Sequence, residues 1–146
     1  MKRALSLALA LAILLPALAW AEEMMSVRSE WINFRQGPST NDPVLFKGSR
    51  YYPVEIIGRK GGWYKVADFE GEQAWVLGRL LAKVECVAVK VDRANLRKTP
   101  DIKAQVIFTA ARGASFKILK KQGKWLLVEH ADGDKGWIHS SIVWGL

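Results

Sequence analysis

The sequence has 146 residues, a formal net charge of +8 and a single cysteine. One cysteine excludes an internal disulfide, and no group of cysteines and histidines has the spacing of a structural zinc site. A basic chain that contains several tryptophans would suggest nucleic-acid binding in the cytosol, so the compartment has to be considered before the partner.

The first 21 residues predict a secretory signal peptide. Lys2 and Arg3 form a positive start, an almost unbroken apolar run covers residues 4–18, and Ala19 and Ala21 are small residues of the kind that signal peptidase recognises. We expect cleavage after Ala21 and a mature protein that is periplasmic or extracellular. The alternative is a retained membrane anchor, but the run is short for a span of ~20 residues. We therefore expect no stable anchor after cleavage.

Export changes the partners that a basic surface can meet. Residues 22–83 carry nine basic and eight acidic groups, whereas residues 84–146 carry eleven and six. Outside the cytoplasm the available anions are cell-wall polymers, lipid headgroups and lipopolysaccharide phosphates rather than nucleic acid. Three lysines concentrate at a predicted hairpin of the second half, Lys120, Lys121 and Lys124. They either attract such a polymer or only keep the protein soluble.

An internal repeat organises the rest of the chain. Residues 33–75 reappear 62 positions later without a gap, so that Trp63 matches Trp125 and Trp75 matches Trp137. Random self-alignment does not keep two tryptophans, two turn glycines and an Asn-x-Arg motif in one register. The chain is therefore one small unit written twice. Each unit has roughly 60 residues, about the lower limit at which a single core folds unaided.

The local pattern predicts β-structure in both units. Short apolar runs alternate with polar residues and are interrupted by turn residues every eight to twelve positions, as in a small barrel or sandwich. In the first unit we predict strands at residues 32–35, 44–46, 52–57, 63–67 and 73–77, and the second unit repeats them. A single turn of 3₁₀ helix is predicted before residues 80–81 and again before residues 142–143.

Three segments of the first unit resemble the bacterial SH3-like (SH3b) domain: residues 32–40 (INFRQGPST), 61–66 (GGWYKV) and 74–76 (AWV). That family opens with Asn-hydrophobe-Arg-x-Gly-Pro-Ser, continues through a Gly-Trp-hydrophobe-x-Val strand and closes on Gly-Trp-hydrophobe. The second unit matches at residues 94–97, 125–128 and 136–141. Residues 98–100 lack the glycine before proline, and Ala74 replaces the usual glycine before Trp75, which affects loop geometry.

The resemblance implies an all-β protein with two tandem small SH3-like β-barrels of five or six strands, at residues 22–83 and 84–146. Such domains are similar to targeting modules that bind peptidoglycan or its peptide stems. We expect a non-catalytic extracytoplasmic binding module for cell-wall peptidoglycan (its glycopeptide) or another envelope component, including an envelope protein. The alternative is a protein–protein adaptor or scaffold for an exported enzyme or sensor.

The candidate binding residues come from the repeat and from its exceptions. Arg35 and Arg97 hold equivalent positions, where a guanidinium could bind a stem-peptide carboxylate through two hydrogen bonds or form an internal salt bridge. Tyr51 and Tyr52 stand where the second unit has glycine and alanine, which suggests a surface specific to the first unit. The full set of ligand-binding candidates is Arg35, Tyr51, Tyr52, Trp63, Arg97, Lys120, Lys121, Lys124 and Trp125.

The remaining tryptophans have structural interpretations. Trp75 and Trp137 recur in register before an aliphatic residue, so we predict that both pack in the cores. Trp31 and Trp144 lie outside the shared pattern and are expected to close the barrel ends or the interface between the domains.

No pattern in the chain indicates an enzyme, a metal or a cofactor. Residues 132–134 resemble a fragment of a calcium loop, but the remaining ligands are missing and a hairpin turn explains them. Carboxylates occur singly, with no pair placed for acid–base catalysis. Cys86, in the expected connector at residues 82–91, is either a partly buried small apolar residue or an unpaired thiol that links two chains. His130 and His139 belong to the repeat, so a cysteine–histidine enzyme is disfavoured.

Overall fold

The computed structural model describes residues 22–146, which form two antiparallel β-sheets of seven strands each and two single-turn 3₁₀ helices. The predicted signal peptide, residues 1–21, lies outside the described residues. The prediction of an all-β chain built from two tandem units is confirmed. Both 3₁₀ turns lie where the sequence predicted them, at Gly78–Leu80 and Ser140–Ile142.

The first domain contains the five predicted strands and two that the repeat register did not reveal, one at each end of the domain. The third and fourth strands extend beyond their predicted ends. The bounds are β1 (Glu23–Val27), β2 (Trp31–Arg35), β3 (Val44–Ser49), β4 (Pro53–Lys60), β5 (Trp63–Ala67), β6 (Gln73–Leu77) and β7 (Leu81–Ala82).

The second domain repeats the seven strands in the same sequence order, and its single 3₁₀ turn again precedes a two-residue last strand. The bounds are β8 (Cys86–Val89), β9 (Arg93–Arg97), β10 (Val106–Ala111), β11 (Ser115–Gln122), β12 (Trp125–Glu129), β13 (Lys135–His139) and β14 (Val143–Trp144).

The two sheets share one topology. The strand order is β3-β2-β6-β5-β4-β1-β7 in the first and β10-β9-β13-β12-β11-β8-β14 in the second. Seven strands replace the five or six expected, because β1 and β8 add to β4 and β11 and the last short strand pairs with them. Pairing across β5–β6 and β12–β13 places Trp63 opposite Leu77 and Trp125 opposite His139.

Each domain has its own apolar core. At one pair of equivalent positions, a larger residue in the first core is matched by a smaller neighbour. In the first, Phe34 is fully buried, and a Cβ on Gly48 would overlap its ring. The equivalent pair in the second is the smaller Leu96 with Ala110, which packs against the core. The glycine at position 48 therefore accommodates the larger ring, since protein interiors tolerate little change in volume.

The structure places Trp75 and Trp137 outside both cores, in contrast to the prediction. Both side chains are half-buried, whereas the residues on either side of Trp75, Ala74 and Val76, are buried. Successive side chains of a strand point to opposite faces, so Trp75 lies on the outer face of its sheet. There it stands opposite Arg35 of β2.

Residues 83–85 connect the two sheets, and several contacts join the domains. The guanidinium of Arg112 lies 5.4 Å above the Phe69 ring, and its Nε is 3.7 Å from a carboxylate oxygen of Glu70. The Ser26 hydroxyl donates to the carbonyl oxygen of Val84 at 3.1 Å. The predicted boundary between residues 83 and 84 falls in this connector, and the independent folding of the two domains remains a prediction.

Candidate functional site: a groove repeated in both domains

Each domain carries a surface groove at the same positions of the repeat. The first groove encloses about 170 Å³ and the second about 660 Å³. Seven positions of the repeat line both grooves, and they are Trp31/Arg93, Asn33/Asn95, Arg35/Arg97, Thr40/Ile102, Trp63/Trp125, Leu77/His139 and Leu80/Ile142.

Strand alternation brings these side chains together. In β9, Ala94 and Leu96 are buried, so the intervening residues of the strand face outward into the groove. Trp125 begins β12, and its pairing partner His139 ends β13. The 3₁₀ turn that follows β13 adds Ile142 to the wall of the groove.

Arg35 and Arg97 brace the loop beside each groove. Nη1 of Arg35 donates to the carbonyl oxygen of Asp42 at 2.9 Å, and Nη1 of Arg97 donates to that of Ala104 at 2.9 Å, the equivalent position. Arg35 also donates to the carbonyl oxygen of Thr40 at 3.0 Å. The sequence analysis considered a ligand carboxylate or an internal salt bridge for these arginines. The observed acceptors are backbone carbonyls instead. Both residues still line their grooves.

The second groove carries donors that the first lacks. Arg93 and His139 replace Trp31 and Leu77, and one acidic residue, Asp101, lies beside them. The backbone N–H of Ser141 donates to Nδ1 of His139 at 3.2 Å, and the hydroxyl of Ser141 lies 2.7 Å from the same atom. Since a backbone N–H can only donate, the neutral ring carries its proton on Nε2.

An aromatic wall completes the second groove. The Trp125 and His139 rings meet edge to face, with 5.1 Å between their centroids. This contact and the hydrogen bond to Ser141 fix the imidazole on both sides. The arrangement offers a ligand an apolar ring face, a neutral N–H donor and two guanidinium groups within one groove.

The two tyrosine candidates have different roles. Tyr52 is structural: its hydroxyl donates to Oδ2 of Asp68 at 2.8 Å, and its ring packs edge-on against Phe34 and Phe69. Burial, reinforced by the hydrogen bond to Asp68, raises the pKa of Tyr52 far above its usual value. Tyr51 adopts a positive φ of 74°, where the second unit has Gly113 with φ 85°. The second unit therefore lacks a tyrosine equivalent to Tyr51 because this turn favours glycine.

The lysine candidates do not form one cationic surface. Lys120, Lys121 and Lys124 are all exposed at the β11–β12 hairpin, as predicted for a hairpin. However, Nζ of Lys121 lies 3.1 Å from a carboxylate oxygen of Glu85, which neutralises part of the charge. None of the three lines the second groove.

The proposed Cys86-linked dimer is not supported. Cys86 is buried, 2% exposed, at the start of β8. Burial raises the pKa of its thiol to about 11. A disulfide between chains needs an exposed thiolate, so the interpretation as a buried small residue fits the structure.

The described residues contain neither a cluster of metal ligands nor a membrane-spanning helix. Within residues 22–146, no three side chains of the His, Cys, Asp or Glu type are grouped so that they could hold a metal ion. No helix in the same part of the chain is long and apolar enough to cross a membrane.

Sequence reasoning missed Arg93, Ile102 and His139 as groove residues. Position 93 lies just outside the best-matched part of the repeat. His139 stands where the first unit has Leu77, and the repeat alone gives no reason to read this difference as functional. The signal that could have found Arg93 is period-two alternation, because it shares the outward face of β9 with Asn95 and Arg97.

Comparison with known proteins identifies the family. Two family models, both described as bacterial SH3 domain, match residues 32–82 and 90–145. The chain therefore belongs to the bacterial SH3 domain family and contains two such domains in tandem. Domains of this family are commonly cell-wall binding modules, are generally non-catalytic and are typically extracellular. No curated protein matches the chain significantly in sequence.

Solved structures to which this chain is similar are described as NlpC1 and NlpC2 from Trichomonas vaginalis and an NlpC/P60 family protein from Bacillus cereus. Their identities to this chain are 17%, 16% and 14%, and their TM-scores are 0.36, 0.36 and 0.40. The matches cover 91%, 85% and 84% of this chain, but only 50%, 48% and 56% of the other proteins. The chain thus spans about half the length of these proteins.

Proposed function

We propose that the protein is a non-catalytic binding module for cell-wall peptide and that the second groove is its principal site. The observation that carries this proposal is the groove itself, which recurs at the same repeat positions in both domains. A pure packing role would explain the buried faces of β2 and β9. Loop bracing explains the repeated Arg35 and Arg97, but neither role explains why Arg93 and His139 add further donors to the second groove.

The chemistry of the second groove favours a short peptide with a carboxylate. Arg93 and Arg97 provide guanidinium groups, which bind carboxylates with charge-assisted hydrogen bonds. Nε2 of His139 supplies a donor, and Trp125 and Ile102 supply apolar surface for the rest of the ligand. Asp101 offsets only part of this positive charge. Peptidoglycan stems combine small apolar residues with carboxylates, so they fit this groove better than a purely apolar peptide does.

The test compares a synthetic peptide stem that ends in a carboxylate with the same peptide ending in an amide. Wild-type protein should bind the carboxylate form more tightly, by about tenfold if two charge-assisted hydrogen bonds are lost with the amide. The double variant Arg93→Gln and His139→Leu should lose this preference, since its groove then resembles the first one. Arg97 is left intact because it braces the loop.

Two results would contradict the proposal. The first is equal binding of both peptides by the wild type. The second is an unchanged preference in the double variant. The matched control is Lys124→Gln, an exposed charge change that lies outside the groove. Calorimetric titration with the peptides, beside co-sedimentation with purified wall sacculi, provides both measurements.

The proposal includes export to the periplasm or beyond, with cleavage between Ala21 and Glu22. The charged start, the apolar run and the small residues at positions 19 and 21 support it. The intact mass of protein from the envelope fraction should correspond to a chain that begins at Glu22. A membrane-bound species that retains residues 1–21 would contradict it.

A second candidate function, an adaptor for an exported protein, is favoured by the edge strands. β3 and β10 stand at the ends of their sheets, and equivalent apolar residues are exposed on both. Val44 and Leu45 are 43% and 51% exposed, and Val106 and Ile107 are 39% and 43% exposed. Edge strands of this kind can pair with a strand of a partner. The test is cross-linking of the protein to envelope partners, in the wild type and in the Leu45→Lys and Ile107→Lys variants. Loss of the cross-links in the variants, with peptide binding retained, would support the adaptor function.

A further inference from the structure

The cleft between the two domains is separate from the second groove and has a different chemistry. It encloses about 460 Å³, and residues from both domains line it: Glu30, Trp31, Ser49, Arg50, His130 and Asp132. Trp31 also lines the first groove, and it is the one lining residue that the two sites share.

Trp31 is an exposed aromatic platform at this cleft. Its side chain is 68% exposed, although most large aromatic residues are largely buried in folded proteins. The repeat gives it no structural reason to be aromatic, because the equivalent residue is Arg93. An indole face is electron-rich and attracts the C–H bonds of a ring that stacks on it.

Arg50 is held without a partner for one of its donors. Its Nε is buried and has no hydrogen-bond acceptor among the described residues. At the equivalent position of the second domain, Nε of Arg112 faces the carboxylate of Glu70 at 3.7 Å, and Nη1 donates to the carbonyl oxygen of Lys90. A buried donor without an acceptor is unfavourable. Arg50 also lines the cleft, where its other N–H groups can donate to a ligand acceptor.

The other polar groups of the cleft determine the charge of a suitable ligand. Two carboxylates, Glu30 and Asp132, accompany the guanidinium of Arg50 and the imidazole of His130, whose Nδ1 lies 3.0 Å from Oδ1 of Asp132. The two carboxylates disfavour an anion such as a phosphate or a nucleic acid. A purely apolar ligand is also disfavoured, because it would remove these charged groups from water without hydrogen bonds in return. The cleft instead suits a neutral ligand with many hydroxyl groups, each of which can donate and accept.

We infer that the cleft between the domains binds a neutral sugar chain, with a pyranose ring stacked on Trp31. Hydroxyl groups donate to Glu30 and Asp132, and a carbonyl or hydroxyl oxygen of the sugar accepts from Arg50. The contacts of Arg112 with Phe69 and Glu70 join the two domains whose residues form the cleft. The inference goes beyond the proposed function, which assigns peptide to the grooves, and the two sites can fail separately.

The test is an NMR titration of the protein carrying both domains with the β-1,4-linked tetramer of N-acetylglucosamine. The indole N–H signal of Trp31 and the side-chain N–H signal of Arg50 should shift in a saturable way. Trp31→Ala and Arg50→Gln should each weaken binding by about tenfold. The control is Ile102→Ala: this side chain is also 68% exposed but lies in the second groove, so the affinity for sugar should stay within about twofold.

The absence of a saturable shift at about 10 mM sugar would overturn the inference, as would equal binding by Trp31→Ala and wild type. Because Trp31 is exposed, its replacement by alanine leaves the core intact, and spectra of the variant verify the fold. The Arg93→Gln and His139→Leu double variant should bind the sugar normally. If that variant loses peptide preference and Trp31→Ala loses sugar binding, the two sites are independent.

Discussion

Replacing Tyr52 by phenylalanine removes one hydroxyl from the first domain and leaves the aromatic packing in place. That hydroxyl donates to Oδ2 of Asp68 at 2.8 Å, and Asp68 is only 8% exposed. Oδ1 of Asp68 accepts separately from the backbone N–H groups of Glu70 and Glu72, both at 2.9 Å. A buried acceptor that loses its donor costs ~1–3 kcal/mol. We expect about 1–2 kcal/mol, because Oδ1 keeps both donors.

The same substitution should change the alkaline stability of the first domain. Burial, then the hydrogen bond to Asp68 and the charges of Asp68 and Glu70, raise the pKa of Tyr52. An unfolded tyrosine ionises near pH 10, so above about pH 10 the unfolded state releases a proton that the folded state retains. The free energy of unfolding of the wild type therefore falls as pH rises past 10. The Tyr52→Phe variant lacks this contribution, so the difference between the two proteins shrinks.

Urea unfolding between about pH 7 and 11 measures both effects. All three tyrosines, Tyr51, Tyr52 and Tyr64, belong to the first domain, so tyrosinate absorbance reports on that domain alone. Tyr64→Phe is the matched control, since this half-buried ring packs against Arg59 rather than a buried carboxylate. Equal stability of Tyr52→Phe and wild type at neutral pH would refute the reasoning. So would an alkaline loss of stability that persists unchanged in the variant.

Three further predictions concern other parts of the chain. Trp137→Ala should cost less than the ~3–5 kcal/mol of a core tryptophan, because the ring is half-buried; urea unfolding that gives the full core value would contradict this. Reversing Lys120, Lys121 and Lys124 to glutamate should leave the fold intact but weaken any salt-sensitive binding to sacculi; binding that ignores salt and the reversal would exclude an electrostatic contribution. Cys86 should react with a thiol reagent only after unfolding, because its thiol is buried with a pKa of about 11; rapid labelling of the native protein would contradict this.

Most of the fold could be predicted because its determinants are local or repeated. Period-two alternation and turn glycines located the five central strands of the first unit. The 62-residue offset of the repeat then gave the equivalent strands of the second unit. β1 and β8 escaped prediction because they lie outside the best-matched segment. Their positions depend on pairing with β4 and β11, which local patterns do not contain.

The candidate site was predicted less completely, because roles depend on partners that are distant in the sequence. Arg35 and Arg97 were named as binding candidates and line the grooves, but their backbone acceptors follow from the loop conformation. Tyr52 was singled out as an exception to the repeat, yet only the fold shows that Asp68 accepts its hydrogen bond. The core prediction for Trp75 and Trp137 rested on their recurrence in register before an aliphatic residue, whereas strand alternation determines their outer location.

Comparing the two grooves distinguishes residues that the fold requires from residues that a ligand would require. Positions 35/97 and 63/125 keep the same residue in both units and hold the loop and the wall of each groove. In contrast, Trp31 and Leu77 of the first groove are replaced by Arg93 and His139 in the second, which adds a guanidinium and an imidazole. The two grooves enclose about 170 and 660 Å³. If both grooves served only to complete the fold, the residues at positions 31/93 and 77/139 should be interchangeable between the two domains. Exchanging Arg93 and His139 for tryptophan and leucine should then leave stability and binding unaltered. If the grooves have different ligands, that exchange should preserve the fold and abolish the preference for a carboxylate.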